Sequence, residues 1–209
     1  MIDDYLIKAG LSKAHTPSTE FLARMQRDFE SVQAPYGDYI QEIWNSAKRL
    51  GIASGPQSGP LFEMLVASVF IGAGYLPFFQ KAELHAAKKI ESDFLFWDEI
   101  NQLPVCVELT STLRERYKLA DLQAFKVKAN FPNAKFFQLT MDYKDASRRS
   151  QEDFESLDGL IFAGSGEIEQ VLEVLGQMSP GKTAPLEENK NTTLHLMDQH
   201  GKVMHEAMF

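Results

Sequence analysis

Three carboxylates in this chain sit where carboxylates are costly. Glu63 lies inside "LFEMLVASVF" (61–70), which is apolar nearly all round. Asp93 lies near the start of the aromatic run "ESDFLFW" (91–97), and Glu108 sits near the end of "LPVCVELT" (103–110). An ionised carboxylate taken out of water needs a cation or a set of hydrogen bonds to offset its lost hydration. The two strand-like runs are joined by a turn-like "DEIN", so antiparallel pairing brings Asp93 and Glu108 level. Two carboxylates side by side repel, and a Mg²⁺ ion with oxygen ligands relieves that repulsion. Such an ion activates water and neutralises charge on a phosphoryl group. Taken singly, an acidic residue in a strand is a solvent-facing side chain, and Glu63 neutralises a basic residue of another helix. The helix–strand–strand combination is what points to a site.

The surrounding elements have to position these residues. Residues 17–31 read as an amphipathic helix with Phe21, Leu22, Met25 and Phe29 on one face and Ser18 in the cap region. Residues 37–50 give a second helix, striped by Tyr39, Ile40, Ile43, Trp44 and Ala47. "GIASGPQSGP" is a loop, and a buried helix runs from Pro60 through Phe70. "GYLPFFQK" reads as a short strand or loop ahead of the hairpin. Helical spacing returns over 113–128, with Leu113, Tyr117, Ala120, Ala124 and Val127 on one stripe. Thr112 and Glu115 have capping-box spacing at its start. Strands at 134–142 and 159–164 and a closing helix at 167–178 follow.

This order predicts an α/β (α+β) fold with a central mixed sheet flanked by helices. It divides into an N-terminal helical segment (1–58), a core (59–180), and a linker with a terminal β-hairpin (181–209). "SPGKTAPLEENKN" has the composition of a flexible tether. The hairpin after it is free to pair with its own sheet or with a second chain.

Bulk properties narrow the function classes. The 209 residues carry a net charge of −8, so overall electrostatics do not advertise a nucleic-acid partner, although a local basic patch serves as well. A single cysteine, Cys106, excludes an internal disulfide and a multi-cysteine zinc site, and its apolar strand marks it as an inert core residue. No run of about 20 unbroken apolar residues is present, and the acidic start lacks the pattern of a signal peptide. A cytoplasmic protein with no membrane partner is the expectation.

The segments "GPLFEMLVA", "SDFLFW" and "VELTSTLRERYKLADLQAF" together resemble the PD-(D/E)XK nuclease superfamily, in particular its restriction-endonuclease-like members. The most specific piece is "TSTLRERYKLADLQA", which follows the catalytic strand in such proteins; "AKFFQLTMD" and "LDGLIFAGSGEIEQVL" resemble the elements after it. The resemblance covers roughly residues 59–178. It implies a restriction-endonuclease-like core in which Asp93 and Glu108 are catalytic metal ligands and Glu63 is an accessory one. The departure is at Thr110, where that family has a lysine. Lys118 or Lys126 on the next helix is then expected to stand in for it. The implied activity is a Mg²⁺- or Mn²⁺-dependent DNA endonuclease of type II restriction kind, acting as a homodimer. The alternative is a non-catalytic nucleic-acid-binding or protein-interaction module that keeps the fold.

Beside the proposed metal site, residues 114–128 carry five basic and two acidic residues. Arg114, Arg116, Lys118 and Lys126 are candidates for DNA phosphate binding, since guanidinium groups take phosphate in bidentate fashion. The plainer reading is a solvated helix with local salt bridges to Asp121. The histidines lack ligand spacing, and His195 and His205 read as a solvated pair across the terminal hairpin.

Overall fold

The computed structural model describes residues 5–87 and 89–209. Helices α1 (Tyr5–Lys8), α2 (Pro17–Met25), α3 (Tyr36–Arg49) and α4 (Ser58–Gly72) come first. Three strands follow: β1 (Phe78–Glu83), β2 (Glu91–Asp98) and β3 (Leu103–Thr110). Then come α5 (Arg116–Asn130), β4 (Lys135–Thr140), α6 (Tyr143–Ala146), β5 (Gly159–Phe162) and α7 (Ile168–Gly176). Strands β6 (Thr193–Met197) and β7 (Val203–Ala207) close the chain.

The strands form one seven-stranded sheet in the order β5-β4-β3-β2-β1-β6-β7. The β1–β2–β3 meander and the β6–β7 hairpin are antiparallel, whereas β3, β4 and β5 are parallel. The sheet is therefore mixed and flanked by helices, as the element order predicts. Alternation along the strands divides the core between its two faces. On one face Phe70 of α4 meets Phe78, Phe94 and Phe96 edge-to-face, at centroid distances of 6.2, 5.5 and 5.0 Å. Buried residues of α2, α3 and α7 join this cluster. On the other face Ala120, Ala124 and Val127 of α5 pack with Phe79, Leu95, Cys106 and Phe136. Burial pushes the Cys106 thiol up to about 12, consistent with an inert core cysteine.

Several local expectations are corrected. Helix α2 ends at Met25 rather than near residue 31, because Gln26 turns extended and Asp28 accepts the Ser31 N–H at 2.8 Å in a new turn. Met25 is consequently 43% exposed. The N-cap is Thr16, whose side chain accepts the Thr19 N–H at 3.1 Å. Helix α4 begins at Ser58, two residues before Pro60. Helix α5 begins at Arg116, and the Thr112–Glu115 capping box does not form. Arg114 adopts φ 41°, Glu115 pairs with Lys118, and Asp142 Oδ2 takes the Leu113 N–H at 3.2 Å. Asp121 does not serve the basic helix; it accepts the N–H groups of Glu155, Ser156 and Leu157 at 3.2, 2.7 and 2.9 Å.

The expected flexible tether is pinned along the sheet. Glu99 N–H bonds Ser179 O (2.9 Å), Gly181 N–H bonds Trp97 O (2.9 Å), and Glu187 N–H bonds Glu83 O (2.8 Å). The terminal hairpin pairs with its own sheet, β6 lying antiparallel to β1 with Phe78 opposite His195. Among the described residues, no helix is long and apolar enough to cross a membrane.

Candidate functional site

Strands β2 and β3 pair through Phe94 opposite Val107, and one further step of that register sets Asp93 beside Glu108. There the regular ladder stops. Asp93 turns its own Oδ2 to the Leu109 N–H, at 2.7 Å. On its other side the β1–β2 register runs Phe79–Leu95, Gln80–Phe94, then Ala82–Ser92, passing over Lys81 and Asp93. Lys81 has φ 54°, a conformation that lysine rarely adopts and that marks functional positions more often than others. Strict alternation would put Lys81 on the sheet face opposite Gln80. The left-handed residue instead brings both toward α4.

The Lys81 ammonium bridges two carboxylates. Nζ contacts Asp93 Oδ1 directly and lies 3.2 Å from Glu63 Oε2. Gln80, next to it, donates its Nε2 to Glu63 Oε1. Glu63 is presented by the buried middle of α4, just after Gly59 and Pro60. Asp93 is thus central, with Glu63 and Lys81 on one side and Glu108 on the other.

Charge in this cluster is not balanced. Burial pushes the Glu63 carboxyl above its ordinary value; Lys81 counters that and Asp93 adds to it. Burial and the charge of Asp93 push Glu108 well above the carboxylate range. Burial alone would pull Lys81 down, but Asp93 and Glu63 outweigh it and hold the ammonium above its usual value. Three carboxylates share one ammonium, and Glu108 Oε1 is buried with no hydrogen-bond partner. A buried orphan oxygen of this kind wants a cation or a proton.

The donors suit a hard divalent ion, being carboxylate oxygens throughout. Among the described residues, however, no group of three or more His, Cys, Asp and Glu stands arranged to hold a metal ion, and Lys81 occupies the place between Glu63 and Asp93.

A cleft of about 180 Å³ opens over the cluster, lined by Gly59, Glu63, Asp93, Thr110, Ser111 and Arg116. Beyond Ser111 it adjoins a cavity of about 570 Å³ that reaches Asp142 past the end of β4. Both lie at the carboxyl ends of the parallel strands β3 and β4, where open sheets leave a crevice between diverging loops.

The expected basic residues distribute unevenly. Arg116 reaches the cleft, with Nη1 at 3.4 Å from Thr110 Oγ1. Thr110 is buried and donates to Thr112 O at 2.6 Å. Lys118 is exposed and ion-paired with Glu115, so it does not fill the gap at position 110. Arg114 and Lys126 stand exposed on the turn and helix beyond the cleft. Lys128 pairs with Asp158 at 2.8 Å. The lysine beside Asp93 is Lys81, which the sequence reading passed over. Its signal in the sequence is slight: a lysine ending "GYLPFFQK", a segment that reads equally as strand or loop.

His195 also departs from expectation. It is 0% exposed and stacks on Phe78 at 4.7 Å, rather than forming a solvated pair with His205.

The fold of this chain is similar to those of two restriction endonucleases. One is PspGI in complex with substrate DNA, at 15% identity and a TM-score of 0.42, covering 78% of this chain and 70% of that one. The other is metal-depleted Ecl18kI in complex with uncleaved, modified DNA, at 18% identity and a TM-score of 0.33, covering 71% of this chain. The chain spans 45% of the Ecl18kI chain, less than half. No family model and no curated protein matches this sequence.

Proposed function

We propose that this protein is a metal-dependent endonuclease that hydrolyses phosphodiester bonds in DNA. The observation that carries the reading is Asp93, set between Glu63 and Glu108 and touched by Lys81, under a cleft that Arg116 also lines. Asp93 and Glu108 would hold Mg²⁺ or Mn²⁺, with Glu63 as the third oxygen donor. When bound, the ion lowers the pKa of a water and neutralises charge on the phosphate. Lys81 takes the role that the motif assigns to the residue at position 110. Released from Asp93, its ammonium is placed to orient the attacking water and to stabilise negative charge on the phosphoryl oxygens. Arg116 binds phosphate at the cleft, while Arg114, Lys118 and Lys126 add attraction along the backbone. Double-strand cleavage calls for two sites related by a twofold axis, hence a homodimer of restriction type.

The test is linearisation of a panel of plasmids with Mg²⁺ or Mn²⁺, comparing the wild type with Asp93→Ala. Metal-dependent cleavage by the wild type and none by the variant is the expected result. Equal residual cleavage by both would refute it.

A second reading is a DNA-binding module without catalysis. It is favoured by Lys81, which already neutralises Glu63 and Asp93 as a resident cation. On that reading DNA is retained in a mobility-shift assay, and no metal produces cleavage.

A further inference from the structure

The β1–β6 ladder runs Phe78–His195, Phe79–Leu194, Gln80–Thr193, and its next step sets Thr192 opposite Lys81. The regular backbone pairing stops there. The Thr192 N–H turns to Asn189 O at 2.9 Å, and the buried Thr192 hydroxyl donates to Lys81 O at 2.9 Å. A second donor reaches the same carbonyl: Asn189 Nδ2 lies 3.3 Å from Lys81 O and 2.9 Å from Glu91 Oε2. The Asn189 side chain is itself fixed, its Oδ1 accepting the Asn191 N–H at 3.0 Å. Side chains 108 and 111 residues further along the chain thus converge on one backbone oxygen.

That oxygen belongs to a strand residue with φ 54°. Sterics favour the extended form for any residue but glycine, and a left-handed one persists only where its surroundings over-determine it. Extended, Lys81 would point to the sheet face opposite Gln80, away from α4 and Glu63. Close packing does not supply the constraint. A cavity of about 320 Å³, lined by Lys13, Glu63, Gln80, Lys81, Glu91 and Asn191, opens beside the lysine. The ion pairs with Asp93 and Glu63 hold the ammonium while those carboxylates face it. Released from them, as cleavage requires, it keeps its place through its backbone. A hydrogen bond to a carbonyl fixes the plane of that peptide, and here two donors do so.

We propose that Thr192, seconded by Asn189, is a positioning residue for Lys81. By holding the Lys81 carbonyl, it fixes the left-handed turn that aims the ammonium at Asp93 and Glu63. The catalytic consequence rests on the nuclease reading of the site; the clamp on the backbone does not.

Two measurements on the full chain test these separately, with Thr192→Val, which keeps the shape and removes the donor, and Thr192→Ser, which keeps the hydroxyl. The first is the cross-peak between the Lys81 amide proton and its own Hα in ¹⁵N-labelled protein. It is strong for a left-handed residue, where the two protons are close, and weak for an extended one. The wild type is expected to show it strongly, Thr192→Val weakly, and Thr192→Ser to restore it. The second is metal-dependent DNA cleavage. Thr192→Val should lower kcat about ten-fold or more with KM unchanged, as a misplaced reacting group does, and Thr192→Ser should recover it. A strong cross-peak retained in Thr192→Val overturns the clamp. A weakened cross-peak with kcat unchanged overturns its catalytic role. Should Thr192→Val fail to fold, Asn189→Ala removes the other donor and is read against the same outcomes. If the wild type cleaves no DNA with any metal, the nuclease reading fails and takes the catalytic role with it, while the cross-peak still decides the clamp.

Discussion

At Thr110 the hydroxyl already has two partners, donating to Thr112 O and accepting from Arg116. It closes the turn after β3, so on the nuclease reading the amine has to come from elsewhere. Lys81 is the amine in contact with Asp93, so the two lysine positions are expected to behave differently. Lys81→Ala should lower kcat for DNA cleavage by about 10²-fold or more, the range for a lost acid–base group. Lys118→Ala should weaken DNA binding in a salt-dependent way with kcat retained. Single-turnover kinetics at saturating and limiting protein separate these effects. The raised carboxyls make a second prediction. Because Glu63 and Glu108 hold their protons longer when folded, the folded chain binds more protons above the ordinary value of 4.5. Stability therefore falls as pH rises from there through their elevated values. A divalent cation should cancel that loss, raising the melting midpoint more at pH 8 than at pH 5. Equal shifts at both pH values would contradict it.

Among the elements, the terminal hairpin and the turn after α1 depend on one another. His205 Nδ1 lies 3.0 Å from Lys8 O, the last carbonyl of α1, and His195 Nδ1 lies 2.9 Å from Ala9 O, the next one, so successive carbonyls at a helix end meet two histidines of facing strands. Gly10 follows at φ 75°, and a Cβ there would meet the His205 ring at 2.5 Å. Gly10→Ala combines a strained φ with a clash and should cost about 1–3 kcal/mol, lowering the melting midpoint by several degrees. His195 sets a pH limit of opposite sign to the carboxyls. Its folded pKa is depressed from 6.5 to about 4, so the unfolded chain takes up the proton first. Stability from this group is complete above pH 6.5 and is lost as pH falls toward 4. Hydrogen-exchange protection of β6 amides should drop over that window, and a His195→Gln variant should lack the dependence.

For the molecule as a whole, β6 covers the β1 edge, and β1 carries Gln80 and Lys81. An uncovered central strand with its N–H and C=O groups bare pairs readily with other chains. Removing residues 179–209 would uncover it and strip Leu194 and Leu196 from the core. The shortened chain should elute as aggregates in size exclusion, whereas the full chain should not. The N-terminal helices share the same core as α4 and the sheet, with Leu22, Ile40 and Trp44 packed beside Phe62 and Phe70. Glu63 is therefore held from both ends of the sequence.

Local pattern was enough to locate the carriers of charge. An acid in an apolar helix, one near the start of an apolar strand and one near the end of the next are legible because burial of charge is costly wherever the chain goes. The β2–β3 hairpin was legible for a similar reason: a short turn between two apolar runs leaves one pairing. The stripe from Tyr117 to Val127 followed from helical periodicity. None of these patterns could reveal Lys81 beside Asp93, because its left-handed φ breaks the alternation on which strand reading relies. Nor could they reveal His195 at Gln80, whose contact spans 115 residues and depends on β6 docking against β1. Sequence by itself determined which costly carboxylates mark the candidate site. Tertiary structure decided which lysine lies against Asp93 and which histidine lies against Gln80, since those contacts exist only once distant strands share a sheet.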